Sequence, residues 1–142
     1  MLKTTLLHPA ILQALASAGH GSRVLIADGN YPFATGAPPT AAKVFLNLMP
    51  GVVKVTEVLA ALADTIPIES AMVMLPPDGT APRIHDEFRQ MLPPETELTE
   101  KKRLDFYSEV KSPDTALVIA TGDQRRFANL LLTIGVVKGG GS

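Results

Sequence analysis

Arg23-Val24-Leu25-Ile26-Ala27-Asp28 is an unbroken apolar run that starts at a cation and stops at a carboxylate. It is too short for a helix that pays its nucleation cost, and it has no polar alternation. It therefore reads as a strand buried on both faces, the kind found inside parallel sheets. Three more runs of the same type follow: Lys43 to Leu48, Ile68 to Leu75 and Ala116 to Ala120. A fifth, Asn129 to Ile134, lies near the C-terminus.

Between these runs the period changes. Ile11, Leu15 and Ala18 follow Pro9 on one helical face, and proline suits a first helical turn. Val55, Val58, Leu59 and Leu62 stand at i, i+3, i+4 and i+7 and predict a second helix. Ile84, Phe88 and Met91 predict a third, stopped by Pro93-Pro94. Arg103 to Lys111 predicts a short fourth helix with Arg103 and Tyr107 on one face. Gly29 to Thr40, with three prolines, reads as an irregular loop, and Glu95 to Lys102 as a solvated polar segment. Strands separated by helices predict an α/β fold, a mainly parallel sheet flanked by helices.

The 142 residues make one domain, here taken as 1–137, with Lys138 to Ser142 a linker-like Gly-rich tail or expression scar. A 46% apolar content supports a core, and a net charge of −1 argues against nucleic-acid binding through a broad positive field. No run is long enough to span a bilayer, and the N-terminus lacks signal-peptide character, so no membrane partner and a cytoplasmic location are expected. The absence of cysteine removes thiolate nucleophiles, disulfides and thiolate metal sites. With only 5% aromatic residues and no tryptophan, the core is expected to be completed against a second subunit.

Ligands of parallel sheets gather at the carboxyl ends of the strands, which marks Asp28, Asp78 and Thr121-Gly122-Asp123. His20, between Gly19 and Gly21, reads from spacing first as a histidine at a helix C-terminus, favoured by the macrodipole, and second as a general acid or base near neutrality. Asp28 suits ligand binding or an Asx turn, and a tight reversal of the chain would put the two side by side. Arg103 and Tyr107 offer a planar donor fork and a phenol, Asn129 an amide for a hydroxyl. His8 and His85 read as surface or capping histidines. His85-Asp86-Glu87 lacks a further ligand, so no metal is expected. Glycine-rich nucleotide motifs and the nucleophile elbow are absent.

Five segments in order carry a further reading: Gly19-His20-Gly21, Ile26 to Pro32, Arg103-Leu104-Asp105-Phe106-Tyr107, Ala120-Thr121-Gly122-Asp123 and Phe127 to Leu132. Together they resemble the D-ribose pyranase / L-fucose mutarotase (RbsD/FucU) family, over nearly the whole chain. The resemblance implies a fold assembled into pentameric or decameric homo-oligomeric rings, with sugar sites between subunits. It implies interconversion of monosaccharide ring forms and anomers without a cofactor. By motif matching it implies His20 as proton donor and Asp28, Arg103, Phe127, Ala128 and Asn129 as sugar-binding positions; Tyr107, on one helical face with Arg103, is expected as a further sugar contact whose phenol stands in for the hydroxyl that Phe127 lacks. The arginine at 103 leans toward the fucose branch. Three positions depart from the pattern. Phe127 stands where the family usually has tyrosine, Asn30 where some fucose members have histidine, and Lys43-Val44-Phe45 where an arginine-x-aspartate segment occurs. L-fucose or a related sugar is the expected substrate. A D-ribose pyranase-like enzyme, a sugar binder without turnover and a structural ring component are the alternatives.

Overall fold

The computed structural model describes residues 1–139. Its elements in chain order are α1 (Pro9–Ser17), β1 (Arg23–Ala27), β2 (Ala42–Phe45), α2 (Val55–Ala63), β3 (Ile68–Met74), α3 (Arg83–Met91), β4 (Glu97–Lys101), α4 (Arg103–Val110), β5 (Thr115–Ala120) and β6 (Leu130–Ile134). One six-stranded sheet has the order β2-β5-β1-β6-β3-β4. β1 and β2 pair with β5 in parallel, and β3 pairs with β4 in parallel. β6 runs antiparallel to both its neighbours, β1 and β3. The chain is thus α/β with a mostly parallel sheet.

The central strand explains the architecture. Alternate side chains of a strand point to opposite faces. Val24 and Ile26 join a core with Ile11 and Leu15 of α1, Val55, Val58, Leu59 and Leu62 of α2, and Ile84 and Phe88 of α3. Leu25 and Ala27 join the other core, with Phe106 and Val110 of α4 and with Tyr31, Ala37 and Ala41 from the loop after β1. Three helices therefore cover one face, and one helix plus a proline-rich loop covers the other. Both faces are dry, which is why β1 carries no alternation.

Two expectations are corrected. Glu95 to Lys102 is not merely solvated, because Glu97–Lys101 forms β4 at the sheet edge, paired residue by residue with Ser70 to Met74. Only Leu98 packs against the core, so hydrophobic pattern could not announce it, and its charges suit an edge exposed to solvent. The second strand stops at Phe45, short of Leu48. The chain after it folds back so that the Met49 and Val52 carbonyls press on Gly122, where a Cβ has no room. Gly140 to Ser142 of the expected tail lie outside the described residues.

Candidate functional site

The carboxyl end of β1 and the start of antiparallel β6 lie side by side, so Asp28 and Asn129 meet although 101 residues separate them. The backbone N–H of Asp28 donates to Asn129 Oδ1 at 2.8 Å. The Asp28 carboxylate is bound in turn by two backbone donors, Asn30 N–H to Oδ1 at 2.9 Å and Ala128 N–H to Oδ2 at 3.2 Å. Burial pushes the Asp28 carboxyl above its ordinary value, and these donors only partly oppose the shift. Each carboxylate oxygen keeps a lone pair for an outside hydroxyl.

Around this pair lies a cleft of about 330 Å³, lined by Asp28, Asn30, Tyr31, Met74, Arg103, Tyr107, Arg126, Phe127 and Asn129. The volume lies at the small end of ligand pockets, which span about 300–1,000 Å³. Arg103 opens α4, whose N-cap Lys102 supplies no side-chain cap. A cation in a first helical turn opposes the macrodipole, so helix stability does not account for it. Among the described residues its guanidinium has no hydrogen-bond partner, and it borders the cleft. One turn on, Tyr107 packs edge-on against Tyr31, ring centroids 5.5 Å apart. Tyr31 is itself locked by donating its hydroxyl to the Gly36 carbonyl at 2.6 Å, and burial raises its pKa. Gly36 leaves room for this ring, since a Cβ there would come within 2.8 Å of Tyr31 Cε1. The Arg126 guanidinium lies 5.5 Å from the centre of the Phe127 ring.

Five positions expected from sequence therefore converge: Asp28, Arg103, Tyr107, Phe127 and Asn129. Ala128 is buried behind them and contributes its backbone N–H to Asp28. His20 does not join them. It precedes β1, whereas Asp28 follows it, so the five residues of the strand, on the order of 16 Å, lie between. The tight reversal that would bring His20 beside Asp28 does not occur, because Gly21 and Ser22 pair with Ile134 at the far end of β6. There His20 Nε2 contacts Glu69 Oε1 at 2.9 Å on an exposed surface.

Asp78 does not line the cleft; it sits in an exposed Asx turn that accepts from Thr80 N–H, although its neighbours Pro77 and Gly79 border an adjoining hollow with Arg103, Arg126 and Phe127. Asp123 plays a structural part. Its Oδ2 accepts from Val55 N–H at the start of α2 and from Arg125 at 2.7 Å. Burial pushes the Asp123 carboxyl up, but the Arg125 guanidinium and the Arg125 and Val55 backbone donors win and hold it below its ordinary value.

His8 caps α1, accepting from Ile11 N–H at 3.4 Å, as a capping histidine should. His85 is neither a surface nor a capping residue. It is fully buried and bonded to the Phe127 carbonyl at 2.9 Å. Its place three residues before Phe88, on the apolar face of α3, was the available signal. Sequence also passed over Glu69, Met74 and Arg126, whose positions follow from strand pairing rather than local pattern. Among the described residues, no group of three or more His, Cys, Asp or Glu side chains is placed to hold a metal ion, and no helix is long and apolar enough to cross a membrane.

The fold occurs in known proteins. Residues 1–137 match the model of the RbsD / FucU transport protein family. The chain belongs to the RbsD/FucU family. A D-ribose pyranase from Chloroflexus aggregans is 29% identical over 139 residues, covering 96% of this chain and 99% of that protein. The structure of Bacillus subtilis RbsD complexed with D-ribose superposes with a TM-score of 0.83 at 25% identity, covering 97% of this chain and all of that one. The fucose mutarotase of Streptococcus pneumoniae in complex with L-fucose gives 0.81 at 27% identity, with the same coverage. RbsD/FucU relatives thus include both ribose-named and fucose-named proteins at nearly equal structural distance.

Proposed function

We propose that the protein is a sugar mutarotase or pyranase acting on L-fucose or a related monosaccharide. The observation that carries this reading is the convergence of Asp28, Arg103, Tyr107, Phe127 and Asn129 on one small cleft, in a chain that superposes on a ribose-bound and a fucose-bound relative. Carboxylate, guanidinium, phenol and amide are the groups that grip sugar hydroxyls, and the aromatic walls suit the apolar face of a sugar ring.

Anomer exchange needs two proton transfers. One proton goes to the ring oxygen and one leaves the anomeric hydroxyl. The bond between the anomeric carbon and the ring oxygen then breaks, giving an aldehyde that recloses on either face. A histidine can carry such transfers, typically worth about 10²–10⁴-fold. His20 is the proposed proton donor, and no cofactor enters this chemistry. Because His20 lies across the length of β1 from the cleft, the reading assigns it to the cleft of a neighbouring copy in a homo-oligomeric ring, pentamer or decamer. With Nε2–H given to Glu69, Nδ1 is the atom left for that neighbour: it donates when the imidazolium carries a proton there, and its bare lone pair takes a proton back as the sugar recloses.

The test is saturation-transfer NMR of anomer exchange across L-fucose, D-ribose, D-galactose and D-glucose, with His20→Ala as control. Exchange above buffer, lost in the variant, is the expected result. No acceleration of any sugar would refute the reading. A D-ribose pyranase-like specificity is the second reading, favoured by the D-ribose pyranase name of the Chloroflexus relative, and the same panel separates the two.

A further inference from the structure

His85 sits in the first turn of α3 with no solvent exposure, its ring stacked on Phe88 at 6.2 Å between centroids. A carbonyl oxygen only accepts, so Nε2 must carry the proton that goes to the Phe127 oxygen at 2.9 Å. Nδ1 is then a bare acceptor, and it has no donor among the described residues. An apolar ring would fill the same space without this orphan. The polar atom's one evident service is to the Phe127 carbonyl.

That carbonyl belongs to an unusual peptide. Phe127 has φ +62°, the one positive φ at a non-glycine position among the described residues. An aromatic residue is strained there and persists only where its surroundings over-determine it. The Phe127 carbonyl and the Ala128 N–H are the two ends of one planar peptide unit. His85 donates to the first end, and the second end donates to Asp28 Oδ2 at 3.2 Å. A chain of polarised bonds thus runs from α3 through one peptide to the carboxylate in the cleft.

We propose that His85 is a positioning residue for the sugar site. Resting on the reading above, it holds the Phe127–Ala128 peptide so that Phe127 walls the cleft and the Asp28 carboxylate faces the sugar. It does so as the neutral Nε2–H tautomer and never touches the ligand.

His85→Phe keeps the ring and the stacking but removes the donor. His85→Gln returns an N–H at similar reach. The expected result for His85→Phe is a KM for anomer exchange raised about tenfold, with kcat at saturating sugar within about twofold, since ground-state orientation is what is lost. His85→Gln recovers most of the affinity. Independently of any turnover, amide hydrogen exchange at Ala128 quickens about tenfold in His85→Phe and slows again in His85→Gln. Should the phenylalanine variant not fold, long-range ¹⁵N–¹H correlation of the native imidazole still decides, with a proton on Nε2 expected. An Nδ1–H tautomer overturns the proposal, as does His85→Phe with native KM and native Ala128 protection. Faster Ala128 exchange in a protein that turns over no sugar would sink the enzymatic reading and leave the peptide clamp standing.

Discussion

Asp28 and Asn129 hold each other in register. Asp28 N–H donates to Asn129 Oδ1, while Ala128 N–H, one residue earlier on the same strand entry, donates back to the Asp28 carboxylate. The two residues that would bind sugar are therefore also the clasp between β1 and β6. Asn129→Ala leaves the buried Asp28 N–H without an acceptor. A loss of about 1–3 kcal/mol in stability is expected, together with a raised KM. Urea denaturation and exchange kinetics measure the two. A fully stable variant with native KM would contradict the clasp.

The family resemblance leads to the expectation of a tyrosine where this chain has Phe127. Phe127→Tyr adds a hydroxyl at the cleft wall without changing ring volume. A gain of about 1 kcal/mol in sugar binding, roughly fivefold in KM, is expected if the hydroxyl reaches the ligand. Phe127→Gly relieves the φ +62° strain but deletes the wall. It is expected to weaken sugar binding, measurable by calorimetry, while the relieved strain offsets part of the stability lost with the ring's packing against the core.

Gly36 sets the position of Tyr31. A methyl group there would meet Tyr31 Cε1 at 2.8 Å and the Pro32 carbonyl at 2.9 Å. Gly36→Ala therefore pushes the Tyr31 ring toward Tyr107 and narrows the cleft. Overpacking of this kind costs about 1–3 kcal/mol. The expected signature is a lowered Tm with a disproportionate loss of sugar affinity. Gly122→Ala, blocked by backbone carbonyls rather than a movable ring, is expected to cost more stability than Gly36→Ala.

Acid should weaken the fold through His85. Burial lowers its pKa below the ordinary 6.5, Arg89 adds to this, and the Phe127 carbonyl, Glu100 and Asp86 oppose it. Once pH falls below about 6.5 the unfolded chain binds a proton that the folded chain refuses, so stability declines with falling pH. Asp28 has the opposite sign. Its raised carboxyl pKa gives a contribution present at low pH and lost as pH rises through its folded value. Denaturation at pH 7.5, 6.0 and 5.0 should show a decline that His85→Phe flattens. An identical slope in both proteins would refute the assignment.

A site shared between subunits can be tested by mixing. His20→Ala and Asp28→Ala are each expected to lose exchange, the first by about 10²–10⁴-fold. Co-refolded mixtures should regain activity, because some clefts pair an intact Asp28 with an intact neighbouring His20. Mixtures as inactive as their parents would exclude the shared site.

Local order was legible along the chain. The unbroken run ending at Asp28 announced a strand dry on both faces. The period of Val55, Val58, Leu59 and Leu62 announced α2, and Pro9 marked the first turn of α1. β4 was not legible, because an edge strand needs only backbone partners and Leu98 is its single core contact. His85 was misread because a histidine on an apolar helix face looks the same whether it meets solvent or a carbonyl 42 residues away.

The sequence by itself determined the α/β class, most of the elements, and the residue types able to grip a sugar. Those follow from periodicity and from side-chain chemistry, which are local. The tertiary structure alone decided which of those residues meet. Antiparallel β6 beside β1 brings Asn129 to Asp28, and β1 keeps His20 at the opposite end of the sheet. Strand order and direction are set by the burial of the whole sheet between three helices on one face and α4 with the proline-rich loop on the other, and no segment carries that information on its own.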